Sequence, residues 1–85
     1  MKNYNIIFYF DFRHKSVPVS GDTTIRGLIQ NYKNRIQYND SDYTDLVFLV
    51  NNGTRLDPHS IETVESRFHN FQLIYVVQGH IDIGA

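Results

Sequence analysis

The sequence has no cysteine. This excludes a disulfide framework, a thiolate zinc site, a thiol nucleophile and thioester chemistry carried by the chain itself, and it is compatible with a reducing compartment. An excess of either charge is missing too: eight Lys and Arg stand against nine Asp and Glu, a net charge of −1. No broad field would gather phosphate backbones or anionic lipid, so neither nucleic acid nor a membrane is an expected partner. Long apolar runs are also absent. The run from Ile6 to Phe10 stops at Asp11 and is too short for a signal-peptide core or a membrane span, so the chain reads as soluble and unprocessed. No internal repeat is visible, and low complexity is limited to a mild excess of Asn.

The chain does have apolar matter for one core. Six Phe, six Tyr and many β-branched residues in 85 positions argue against disorder and for one small domain. A chain this short buries only roughly 60–65 per cent of the surface its unfolded form exposes, so its stability margin is narrow. The clearest periodicity runs over Asp22–Gln37. There Ile25, Leu28, Ile29, Tyr32 and Ile36 recur at three- and four-residue intervals and predict an amphipathic helix whose stripe must be buried against a sheet. Asp22, Thr23 and Thr24 supply candidate cap oxygens, while Arg26 in the first turn opposes the helix dipole.

The flanking segments read as strands. Asn5–Phe12 is rich in β-branched and aromatic residues, with Ile6, Phe8 and Phe10 on one face and Ile7 and Tyr9 on the other. Arg13, His14 and Lys15 are expected to turn the chain into a return strand, Ser16–Ser20, with Val17 and Val19 facing in. Pro18 cannot donate to a ladder, which predicts an edge strand. After the helix, Tyr38–Thr44 is a turn-rich acidic loop and Asp45–Val50 a nearly continuous apolar strand. Asn51, Asn52 and Gly53 form turns readily, and Thr54–Leu56 is a brief return strand. Ser60–Arg67 is expected to form a short helical turn packing Ile61 and Val64 inward. Asn70–Val77 closes the series as a strand, with Phe71, Leu73, Tyr75 and Val77 on one face and Gln72, Ile74 and Val76 on the other.

This order is similar to that of the β-grasp, and its details resemble ubiquitin. Gly21-Asp22-Thr23-Thr24-Ile25 resembles that family's capped start of its helix. Leu49-Val50-Asn51-Asn52-Gly53-Thr54-Arg55-Leu56 resembles its third strand, Gly turn and short fourth strand, and Phe71 to Gly79 resembles its closing strand and tail. The resemblance implies an α+β, ubiquitin-like β-grasp fold over residues 1–79, a mixed four- to five-stranded sheet with one helix packed across it, followed by a flexible tail at 80–85. The modifiers of the family end in two glycines, because only residues without a β-carbon let an extended tail pass a narrow enzyme channel. Here the place reads Gln78-Gly79-His80. The lysines are Lys2, Lys15 and Lys33, and the position matching the family's best known chain-linking lysine is Thr54. Both departures lean from a conjugated tag toward a module built into a larger protein.

The family binds partners mostly through an apolar patch on the exposed sheet face. The resemblance puts that patch on Val50, Ile74 and Gln72, with Phe10 or Phe12 nearest the first-hairpin position. Alternation gives a similar set: if Leu49 and Leu73 face the helix, then Phe48, Val50, Ile74 and Val76 face out. The expected partner-binding residues are therefore Phe12, Phe48, Val50, Gln72, Ile74 and Val76. A one-residue slip in register would exchange the faces and put Phe48 and Val50 in the core instead.

Other constellations carry less. His14, His59, His69 and His80 have no spacing that places two on one helical turn, so no metal is expected. Asp40, Asp42 and Asp45 match a calcium loop only in part, since Asp45 stands where the sharp turn needs Gly. Ser16, Ser20, Ser41, Ser60 and Ser66 lack nucleophile-elbow glycines, and no phosphate-cradling loop exists, so no catalytic residue and no cofactor are expected. Arg13, His14 and Lys15 are a solvated hairpin tip or, with Arg26 and Lys33, the basic side of a Ras-associating domain meeting an acidic strand of a small GTPase. The expected function is thus a non-catalytic protein–protein interaction domain, the N-terminal module of a larger protein. It would be monomeric, cytoplasmic or nuclear, and bind a ubiquitin-pathway or scaffold protein. The alternatives are a modifier precursor and a GTPase-binding module.

Overall fold

A computed structural model describes residues 2–37, 44–51 and 53–80. Strands β1 (Asn3–Phe10) and β2 (Arg13–Ser20) form a hairpin, α1 (Ile25–Arg35) follows, then β3 (Thr44–Val50), β4 (Thr54–Arg55), a short α2 (Val64–Arg67) and β5 (Leu73–His80). The sheet has five strands in the order β2-β1-β5-β3-β4. β1 and β5 run parallel, and the other neighbours antiparallel.

The hairpin is tighter than the sequence suggested. Asp11 and Phe12 alone make the turn, both at positive φ (54° and 62°), the two-residue geometry whose twist matches that of paired strands. Arg13, His14 and Lys15 are therefore the first residues of β2, not the tip. Pro18 lies opposite Asn5, whose amide donates to Asn70 Oδ1 and whose carbonyl accepts from Phe71 on the side away from β2. That pair exchanges no ladder bond, so the missing N–H of Pro18 falls on the outer edge of the sheet, where it discourages further strand pairing.

Helix α1 begins at the Thr24 cap, whose Oγ1 accepts from the Gly27 amide at 3.0 Å. The segment before α2 satisfies the other open amides of the first turn: Ile25 donates to the Glu62 carbonyl at 2.8 Å and Arg26 to that of Ser60 at 3.0 Å. Val64 and Glu65 in turn donate to the carbonyls of Thr23 and Gly21. Gly21 is needed for this approach, since a β-carbon there would meet Glu65 Oε1 at 2.9 Å and Tyr4 Cε1 at 3.0 Å. Because residues 60–63 are held by backbone carbonyls and α2 starts only at Val64, Ile61 and Val64 do not share a helical face. Val64 is buried and Ile61, expected inside, is 80 % exposed.

The core lies between α1 and one face of the sheet. Tyr32 stacks on Phe8 with ring centroids 4.1 Å apart and planes 11° apart, and Phe48 meets both rings edge-on at 6.1 and 6.2 Å. Ile6, Val17, Ile25, Leu28 and Ile74 close the space around them. Burial pushes the Tyr32 hydroxyl up from 10.0 to about 12, because the phenolate would lose its hydration. The unfolded chain therefore releases this proton first. The stabilisation is complete below pH 10 and is lost as pH rises toward 12, by about 2–3 kcal/mol in all. Tyr32→Phe should abolish that alkaline loss in urea midpoints taken across pH 8–11, with little change at pH 7.

Of the expected tail, the backbone of His80 belongs to β5, while residues 81–85 lie outside the described residues, as do residues 38–43 of the expected acidic loop.

Candidate functional site

The alternation that orients the sheet is set by β1. Ile6 and Phe8 face the helix and are fully buried, and the parallel register pairs Phe8 with Ile74 and Tyr9 with Tyr75. Paired residues share a face, so Ile74 and Val76 must also turn toward the helix, and the β3–β5 register then brings Phe48 in with Val76. Of the side chains expected to contact a partner, Phe48, Val50, Gln72, Ile74 and Val76 are all buried. That is the slipped register, and it corrects the assignment: these residues hold the core. Gln72, which the resemblance put in the patch, is only 7 % exposed. Its Nε2 donates to the Leu73 carbonyl at 3.2 Å and its amide to that of His69 at 3.2 Å. Phe71, with φ 64°, breaks the strand just before it.

The opposite face is apolar as well. Ile7 pairs with Leu73, and Tyr9 with Tyr75, which lies opposite Leu49 on its other side; Val77 lies opposite Val47. Alternation puts this set on the face away from α1. Tyr75 and Val77 are 50 % and 44 % exposed, and Ile7, Tyr9, Val47, Leu49 and Leu73 are half-buried. Tyr9 packs edge-on against Tyr75 at 6.0 Å and against His14 at 4.6 Å, so an aromatic row spans β2, β1 and β5. Both tyrosines keep a polar tip available to water, which suits this face better than the dry one.

Phe12, the remaining expected contact residue, is 88 % exposed at the hairpin tip. The β1–β5 ladder ends at Tyr9 and Tyr75, and beyond it β1 turns while β5 runs on along β3. The gap is a depression of about 480 Å³ lined by Tyr9, Phe10, Asp11, Phe12, Val76, Val77 and Gln78. A bulky residue at φ 62° is strained by roughly 1–2 kcal/mol. Phe12→Gly would create the Asp-Gly dipeptide preferred in this turn, and a gain of about 0.5–1 kcal/mol is expected in urea unfolding. If Phe12 is kept for contact, the same variant should bind partners less well.

The basic side chains do not gather as a GTPase-binding edge would require. Arg13 and Lys15 are on β2, one edge strand, whereas Arg26 and Lys33 line a cleft shared with Arg55 of β4, the other edge strand.

No protein-family model matches the chain, and no curated protein matches it. Solved structures do. The UBL domain of yeast Ddi1 superposes with a TM-score of 0.74 over 94 % of this chain and 93 % of that one, at 11 % identity. The fold is ubiquitin-like. A ubiquitin-like domain of EccD5 from Mycobacterium xenopi gives 0.57 at 8 % identity, covering 94 % of this chain and 98 % of that one. ATBAG1, solved in complex with HSP70, gives 0.71 at 6 % identity over 92 % of this chain and 41 % of that one. Within this ubiquitin-like fold the outward set that replaces Val50, Gln72 and Ile74 is Leu49, Tyr75 and Val77. The signal that finds it is the parallel pairing of β1 with β5: once Phe8 is placed inside, Ile74 must follow.

Proposed function

We propose that this ubiquitin-like chain is a non-catalytic protein-interaction domain built into a longer protein, binding its partner through the outward face of the sheet. The observation that supports this most is the half-exposed pair Tyr75 and Val77 amid Ile7, Tyr9, Val47, Leu49 and Leu73. No described element covers them, and a contiguous apolar surface of this kind is unusual on a small domain without a partner. ATBAG1, 41 % of whose chain this fold covers, was solved with a protein partner, HSP70. A conjugated modifier suits the chain less well. The place of the diglycine reads Gln78-Gly79-His80, and its backbone is held in β5, with Gly79 opposite Asp45 and His80 opposite Thr44, where a modifier needs a tail that can enter a channel.

The test is capture by the immobilised wild-type chain compared with a Leu49→Glu, Tyr75→Lys double variant. Proteins enriched on the wild type and absent from the folded double variant support the reading. Equal capture by both removes the face from it.

A further inference from the structure

We propose a second binding site, separate from the sheet face: the open edge of β5 beside the hairpin tip, which takes the free amino terminus of a partner protein as one more parallel strand. The ladder between β1 and β5 pairs Ile7 with Leu73, Phe8 with Ile74 and Tyr9 with Tyr75, and there it stops. β1 turns away at Asp11 and Phe12, while β5 runs on to His80 along β3. Ile7 donates to the Gln72 carbonyl at 2.8 Å, so the even-numbered backbone groups of β5 face β1 and the odd-numbered ones face β3. The same register gives the Val76 amide to Tyr9 as the last bond of the ladder. Beyond it, the carbonyls of Val76 and Gln78 and the amides of Gln78 and His80 face the place β1 has left, and no strand of the described residues lies beside them. Val76 is 4 % exposed, so water serves its carbonyl poorly. The place is the depression of about 480 Å³ bordered by the hairpin tip and by Val76, Val77 and Gln78. Whereas Pro18 blunts the outer edge of β2, residues 76–80 hold no Pro, Lys, Asp or Glu to discourage pairing.

The open groups select the direction. In a parallel segment the first residue donates to the Val76 carbonyl and accepts from the Gln78 amide, and the third donates to the Gln78 carbonyl and accepts from the His80 amide. Two residues thus satisfy all four groups. An antiparallel segment would bring a carbonyl against the Val76 amide, which Tyr9 already holds. The parallel direction sets the amino end of the segment at the hairpin, where Asp11 borders the depression. Asp11 is exposed and has no ion pair among the described residues. Every Lys and Arg of the chain is among the described residues and none lines the depression, so the carboxylate there is left for an incoming ammonium. Register selects the side chains. Carried two residues past the pair of Tyr9 and Tyr75, it sets the first residue of the segment opposite Val77 and the third opposite Gly79, both on the outward face. The first side chain is apolar, since its neighbours are the exposed Val77 and Phe12. The third is bulky, because Gly79 has no side chain to fill that position. This contact also gives a use to an aromatic ring kept at a φ of 62°.

The experiment titrates the peptide Val-Thr-Tyr-Thr-Gly, with a free amino end and a fluorophore at its carboxyl end, into the full chain at low salt, following anisotropy and amide shifts. It should bind and shift Asp11, Phe12, Gln78 and His80. Val-Thr-Pro-Thr-Gly, whose third residue has no N–H for the Gln78 carbonyl, should bind about tenfold more weakly. Acetylating the amino end should cost about threefold, as should Asp11→Asn, which keeps a residue tolerant of the φ of 54°. Gln78→Pro removes the amide that faces the slot and spares the bonds to β3. It should also cost about tenfold, and if that variant does not fold, the proline peptide makes the same test from the other side. Leu49→Glu should bind the peptide within about twofold of wild type, which separates failure here from failure of the sheet-face reading. Equal binding of the two peptides, tighter binding of the acetylated one, or shifts confined to Leu49, Leu73 and Tyr75 would overturn the proposal. So would an absence of binding to the full chain, the result if its own residues 81–85 fill the slot.

Discussion

Phe8→Ala is expected to cost about 3–5 kcal/mol, the range for deleting a buried aromatic and leaving a cavity. Phe8 is fully buried, stacks on Tyr32 at 4.1 Å and takes the edge of Phe48 at 6.1 Å, so one truncation removes contacts to both α1 and β3. A domain of 85 residues has only about 4–13 kcal/mol to lose. The variant should therefore unfold at a much lower urea concentration than wild type, with an unchanged slope, and at the weak end of that range it would be largely unfolded without denaturant. A small shift in midpoint would mean that the three rings are not the centre of the core.

The second large effect separates two adjacent residues. Ile74→Lys puts an unpaired ammonium in a fully buried place, and an uncompensated charge there costs several kcal/mol; the chain should fail to fold. Tyr75→Lys, one position on, places the same charge on the open face, where Tyr75 is 50 % exposed. It forfeits the contact with Tyr9 at 6.0 Å, worth about 1 kcal/mol or less. Circular dichroism and urea midpoints of the two variants should therefore diverge completely. Equal tolerance, or the reverse order, would invert the sheet.

That contrast also shows why one part of the molecule was legible in the sequence and another was not. The helix could be read because its stripe is one-sided: Ile25, Leu28, Ile29 and Tyr32 are buried while Arg26 and Gln30 are exposed. Pro18 marked an edge strand because it has no N–H, and the cap was narrowed to Asp22, Thr23 and Thr24, of which Thr24 fills it. Strands β3 and β5 offered no such asymmetry. Phe48, Val50, Ile74 and Val76 alternate with Val47, Leu49, Tyr75 and Val77, and a period of two with apolar residues at both phases fixes no face. Gln72, placed outside by the resemblance, is buried just before β5, where its side chain meets the Leu73 carbonyl at 3.2 Å. The candidate surface thus shifted by one residue yet stayed apolar. Residues 57–69 were obscure for another reason. Their role is to lend the carbonyls of Ser60 and Glu62 to α1, and a backbone group carries no signature of residue type.

The proposal of a binding face stands most directly on where a captured partner touches the sheet. Adding the purified partner to methyl-labelled protein should move the signals of Leu49, Leu73 and Val77 and leave those of Val50, Ile74 and Val76 nearly in place. Shifts limited to the cleft beside Ile29, or a partner that leaves the Leu49, Leu73 and Val77 methyls untouched, would contradict it.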